Sequence, residues 1–241
     1  MLPPGVVKGG TAMKLRVGEA SSRFTPDLDA ARALGLTLEE YLDQLGERLR
    51  GGWNGFTGTV RAADPPQPVG VPVDYVMTPY EIKLAYRSRA WLTVRFELGR
   101  DEVGSTLVAE PRMAQDIAGI FSALGLPQPE PIPLLAVEHQ IAQKLHACTF
   151  IDPRSGVNER AHDLVDLQIL EQEEEIDFKA TAVTARRLFE SRHAHSWPPT
   201  VRAFPRWAGI YLAAADGLKV LQSVEEAVDW ANELVGRVEA A

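Results

Sequence analysis

Cysteine is almost missing from this chain: Cys148 is the only one in 241 residues. An intramolecular disulfide is thereby excluded, as is a Cys-rich zinc site, and a lone thiol within an apolar helical pattern reads as a reduced core residue. Long apolar runs are missing too. No stretch approaches the roughly 18 residues needed to cross a bilayer, and the opening MLPPGVVKGG lacks a basic segment followed by an apolar one. A soluble, cytoplasmic protein that does not enter a membrane is expected. Cations are scarce, with 25 Lys and Arg against 33 Asp and Glu and a formal net charge of −8. That balance argues against broad, sequence-independent binding of nucleic acid, which needs many phosphate contacts. Any such partner must be held by a local basic patch, and the richest stretch runs through Arg186, Arg187, Arg192, His193 and His195 to Arg202 and Arg206. Also lacking are the His-x-x-x-His pair of a metalloprotease, the Gly-x-Ser-x-Gly of a hydrolase and the Gly-Lys-Ser/Thr ending of a P-loop.

What is present is a chain with 45% hydrophobic residues, enough to bury a core in one large domain or two small ones. Gly5 to Lys8 is a short apolar run that ends in Gly9-Gly10, and Thr11 to Arg16 can open a helix directly after it. Thr37-Leu-Glu-Glu40 has the form of a capping box, so a helix should follow to about Arg50. Glu81 to Tyr86 and Trp91 to Leu98 read as an antiparallel hairpin around Arg87 to Ala90. Prolines 127, 129, 131 and 133 exclude a continuous helix or a central strand, and the domain boundary is placed there. Beyond it, Leu134 to Cys148, Glu159 to Glu171, Ala180 to Arg192 and Val224 to Val238 carry helical spacing. The expected architecture is an α/β (α+β) domain over residues 1–125 followed by a helical domain over 126–241. The five tryptophans are expected in the core or at a domain interface rather than as base-stacking platforms.

Asp27-Leu28-Asp29 is the strongest chemical feature. Side chains two apart on a strand point the same way, so the two carboxylates can share metal ions, whereas the same pattern in a surface turn carries no chemistry. Upstream, Gly9-Gly10 ends a strand and opens a helix, where free N–H groups and the helix dipole suit a phosphate. A third acid is expected on a neighbouring strand, and Glu97, between Phe96 and Leu98, fits. In the second half Lys144 falls at the border of the stripe Leu134, Val137, Ile141, Leu145 and Cys148. It can either snorkel there or aim its ammonium into a cleft. Asp163 projects from an apolar face with Arg160 one turn earlier, so it either pairs with Arg160 or orients Lys144 or Arg160 towards a nucleotide.

Lys8-Gly9-Gly10-Thr11-Ala12, Arg23, Thr25 and Asp27-Leu28-Asp29 resemble the opening motif of the AbiEii/AbiGii toxin family, to which the MenT-type tRNA-modifying toxins are related. Lys144 and Arg160-Ala-His-Asp163-Leu-Val-Asp166-Leu167 resemble the family's lysine and its Arg-x-x-Asp-x-x-Asp-Leu segment. The resemblance implies a polymerase-β-like nucleotidyltransferase fold with a mixed sheet, and transfer of a nucleotide from a nucleoside triphosphate to an acceptor. On this reading Asp27, Asp29 and Glu97 hold Mg²⁺. Lys8, Gly9, Gly10, Thr11, Arg23, Lys144, Arg160 and Asp163 hold the nucleotide, and Lys144 acts with the three acids in catalysis. It further implies a tRNA 3′ end as acceptor and an antitoxin protein as partner. A protein hydroxyl, a small molecule or a non-catalytic nucleotide- or antitoxin-binding role are the alternatives. The chain departs from the family in starting almost directly on its first strand, so that an edge of the nucleotide pocket is expected to be missing, and in having His162 where a lysine is common.

Overall fold

The computed structural model describes residues 1–64, 77–113, 115–153 and 155–241. They form two compact units. Among the described residues, no helix is long and apolar enough to cross a membrane.

The first unit holds residues 1–18, 25–64 and 77–135 of those described. Its strands are β1 (Gly5–Lys8), β2 (Asp27–Arg32), β3 (Phe56–Ala62), β4 (Thr78–Tyr86), β5 (Arg89–Gly99), β6 (Glu110–Arg112) and β7 (Ile132–Leu134), and its helices are α1 (Gly9–Val17), α2 (Leu38–Gly51) and α3 (Gln115–Ala123). The strands make one mixed sheet in the order β3-β4-β5-β2-β1-β7-β6. β2 runs antiparallel to β1 and parallel to β5. Alternation decides what each face carries. Ala30, Tyr80, Ile82, Phe96 and Leu98 are buried on one face, where Tyr41, Leu45 and Leu49 of α2 cover them. Residues between them, such as Lys83 and Arg95, are exposed on the other.

The capping box at the start of α2 is formed: Thr37 Oγ1 accepts from Glu40 N, and Glu40 Oε2 accepts from Thr37 N at 2.8 Å. The hairpin turn is tighter than the sequence suggests. Pairing extends to Tyr86 and Arg89, leaving Arg87 and Ser88, both at positive φ, as a two-residue turn matched to strand twist. The proline-rich segment, expected to bar a central strand, contributes β7 between β1 and β6. It is tolerated because β7 is short and Pro133 stands opposite Pro111, so the missing N–H groups fall at one step of the ladder. Arg16, with a buried side chain, donates to Glu110 Oε2 at 2.6 Å and to the Leu135 carbonyl at 3.0 Å, tying α1 to this end of the sheet.

The second unit comprises residues 19–24 and 136–241 of those described. It is helical, with α4 (Val137–Thr149), α5 (His162–Glu173), α6 (Phe178–Arg192), α7 (Trp207–Ala215) and α8 (Val224–Glu239). α4 packs on α5 and α6, and α5 packs on α7 and α8. Trp207 is fully buried and donates its indole N–H to the Asn158 carbonyl at 2.7 Å. Gln168 donates to Tyr211 Oη at 2.9 Å, and its Oε1 accepts from Leu221 N, so a buried amide is satisfied on both sides. The tryptophans therefore divide: Trp207 is core, whereas Trp91 is 59% exposed beside Phe56 at the hairpin end of the first unit.

Phe96, completely buried between α2 and the centre of the sheet, should lose about 3–5 kcal/mol of stability on truncation to Ala. Thr37→Ala should lose only about 1 kcal/mol, the worth of an N-cap. Urea unfolding of the two variants side by side checks both values.

Candidate active site

The strand–Gly-Gly–helix passage at the start of the chain fixes the first cluster. Gly9 opens α1 at φ +63°, and a Cβ there would lie 1.9 Å from Asp29 Oδ2. The carboxylate of Asp29 thus rests directly against the backbone at the helix N-terminus, where the dipole favours negative charge. Only glycine leaves that room and accepts that φ. Gly10 is equally confined, since a Cβ would fall 2.6 Å from Thr25 Oγ1. Thr11 donates its hydroxyl to the Asp27 carbonyl at 2.6 Å, clamping α1 to the first residue of β2.

Strand register then aligns the charges. Lys8 of β1 pairs with Asp29 of β2, which pairs with Glu97 of β5. Directly opposed residues share a face, so a lysine, an aspartate and a glutamate stand abreast across three strands. Asp27, two residues along, shares that face and pairs with Arg95. Lys8 Nζ reaches to 3.4 Å from where a Cβ of Gly99 would lie, on the strand that carries Glu97. Asp27, Asp29 and Glu97 are all partly exposed.

Among the described residues, no three His, Cys, Asp or Glu side chains converge as a metal ion would require. The donor chemistry fits Mg²⁺ nonetheless. These are hard carboxylate oxygens, and Mg²⁺ is usually held by one or two carboxylates together with substrate phosphates rather than by an all-protein cage.

The remaining sequence candidates form a cluster of their own in the second unit. Asp163 and Asp166, one turn apart on α5, are both fully buried. Lys144 of α4 donates to Asp163 Oδ1 at 3.2 Å and to Asp166 Oδ2 at 2.5 Å. Arg160 Nε donates to Asp163 Oδ2 at 2.7 Å, so the pairing of Arg160 with Asp163 is formed, and Lys144 is turned inward to carboxylates rather than snorkelling. Arg23 holds Asp166 in a two-pronged bond, Nε at 3.0 Å and Nη2 at 2.9 Å. Three cations thus surround two carboxylates. Burial alone would raise the Asp163 carboxyl, but Arg160 and Lys144 outweigh it and hold it well below the usual range. His162 is pushed down to about 4, mainly by burial, with Asp163 opposing and the neighbouring cations reinforcing the shift, and is neutral at neutral pH.

Asp166 is the residue that sequence reasoning left out of the site. It belonged to the quoted motif, but no helical pattern could show that it bonds Arg23, 143 positions away. Three arginines of the basic stretch in the second half have partners. Arg186 pairs with Glu239 at 2.9 Å, Arg206 pairs with Glu159, and Arg192 meets His146 Nδ1 at 3.1 Å.

The family model described as nucleotidyl transferase AbiEii toxin, type IV toxin-antitoxin system, matches residues 3–233. No curated protein matches by sequence. Among solved structures, MenT4, a nucleotidyltransferase toxin of Mycobacterium tuberculosis, is similar over 98% of this chain and 84% of its own, with a TM-score of 0.52 and 17% identity. That likeness is one of fold.

The buried cluster sets a stability prediction. Lys144→Met leaves two buried carboxylates short of a cation and should cost about 3–5 kcal/mol, measured by urea unfolding. Because Asp163 is depressed in the folded state, its stabilisation is complete above the unfolded carboxylate value of about 4 and is lost as pH falls below it towards the folded value. The gap in melting temperature between wild type and Asp163→Asn should therefore narrow on acidification below about pH 4.

Proposed function

We propose that this chain, which belongs to the AbiEii family of nucleotidyl transferase toxins of type IV toxin-antitoxin systems, moves a nucleoside monophosphate from a triphosphate to the 3′ end of a tRNA in a Mg²⁺-dependent reaction. The observation that carries the reading is the row Lys8, Asp29 and Glu97, abreast at the N-terminus of α1. It sets hard oxygen donors beside a backbone that favours anions.

The reaction is an in-line displacement. The acceptor 3′-oxygen forms a bond to the α-phosphorus as the bond to the bridging oxygen breaks, and pyrophosphate leaves with the electron pair. Glu97 takes the hydroxyl proton. Asp27, Asp29 and Glu97 are the residues that would hold Mg²⁺, which when bound would supply positive charge against the phosphates. Gly9, Gly10 and Thr11 present backbone to the terminal phosphates, and Lys8 adds a cation there. In the second unit, Arg160 is half exposed and Arg23 lies close to the surface. There Asp163 and Asp166 hold Arg160, Arg23 and Lys144 in one ion-pair network. Catalysis of this kind is largely positioning and electrostatics. An antitoxin encoded with the toxin and action in the cytoplasm belong to the same reading.

The decisive assay supplies each of the four α-labelled triphosphates with Mg²⁺ and follows label into total RNA and total protein. Label in RNA supports the reading, and label in protein alone replaces the acceptor with a protein hydroxyl. Asp29→Asn and Gly9→Ala should each lower incorporation roughly 100-fold or more, with far-ultraviolet circular dichroism unchanged. Wild-type incorporation by Asp29→Asn would remove the carboxylate row from the mechanism.

A further inference from the structure

The face of the first unit that bears Asp27, Asp29 and Glu97 continues across β5, β4 and β3. Register sets Arg61 of β3 opposite Glu81 of β4, Glu81 opposite Arg95 of β5, and Arg95 opposite Asp27 of β2. The next row has Thr59, Lys83 and Thr93 abreast. Buried Ile82 and Phe96 alternate with these residues and point to α2 on the other face. Arg61, Lys83, Arg95, Thr59 and Thr93 are exposed.

We propose that this face seats the sugar–phosphate backbone of a single-stranded RNA, with Arg61, Lys83 and Arg95 as phosphate contacts leading to the carboxylates. The inference rests on the RNA-acceptor reading above and names the surface that reading needs. Three observations favour nucleic acid over a protein as occupant. These two rows carry cations and hydroxyls, the groups that contact phosphate, and no large apolar side chain of the kind that anchors a protein interface. Their cations stand out on a chain of net charge −8, which confines positive potential and so directs a polyanion there. They also lie on the same sheet face as the acids, with neighbouring strands about 4.8 Å apart, so the row from Arg61 to Asp27 spans about 14 Å within one sheet. The one acid between the cations, Glu81, sits 3.7 Å from Lys83 with both side chains about half exposed, an arrangement too solvated to occupy the lysine.

The test uses the full chain and a short fluorescein-labelled single-stranded RNA, with binding followed by anisotropy over a salt series. The double variant Arg61→Gln/Lys83→Gln changes only exposed side chains, so its melting temperature should stay near wild type. It should bind about tenfold more weakly at physiological salt, and its slope of log affinity against log salt should be shallower by about 1.4, or 0.7 for each phosphate no longer neutralised. Triphosphate binding should be unchanged. If wild type labels RNA but the double variant binds and labels it equally well at every salt concentration, this surface assignment is overturned while the acceptor reading stands. If wild type labels no RNA with any triphosphate, the acceptor reading itself falls. A self-association in sedimentation that the double variant abolishes would give the face to a second copy and overturn the proposal.

Discussion

The register of β2 is the constraint on which the first unit depends. Side-chain period in a strand is two, so a slip of one residue against β1 and β5 would exchange its faces. Asp27 and Asp29 would then turn under α2, into the space held by Ala30, Phe96 and Tyr80, where an unpaired carboxylate is costly. The same slip would bring Leu28 and Ala30 into water. Apolar packing on one face therefore fixes where the acids stand on the other. The clasp from Thr11 to the Asp27 carbonyl and the contact of Asp29 with the Gly9 backbone reinforce the same register from the helix side.

The two units solve the problem of adjacent carboxylates in opposite ways. In the second unit Asp163 and Asp166 are sealed from water and fully answered by Lys144, Arg160 and Arg23. Such a network is intolerant of losing one member, because the remaining charges have no solvent to turn to. In the first unit Asp27, Asp29 and Glu97 stay partly exposed, and contact with water keeps like charges on one face tolerable. Buried and solvated carboxylates are thus divided between the halves of one chain.

Local features were legible from sequence. The capping box of Thr37 and Glu40, the strand broken by Gly9-Gly10, the paired aspartates and the helical second half all follow from short-range patterns, and each is present. Sequence named Glu97 as an acid on a neighbouring strand but not its position directly opposite Asp29, since strand register is a non-local choice made by packing. The same limit hid the bond between Arg23 and Asp166, the neutralisation of Arg186 by Glu239, and the cationic face, whose rows combine residues from four separate strands. Pro133 misled for a related reason: its effect depends on what stands opposite, and that is another proline.

Arg23 carries a consequence for how this protein can be divided. The chain leaves the first unit after Gly18, contributes residues 19–24 to the second, and re-enters the first at Thr25. Arg23, held by both oxygens of Asp166, is what that detour delivers. A fragment beginning at residue 136 would hold all five helices of the second unit yet keep Asp166 without its guanidinium. The units are spatially compact but genetically interleaved, so neither can be inherited, swapped or expressed as one contiguous cassette.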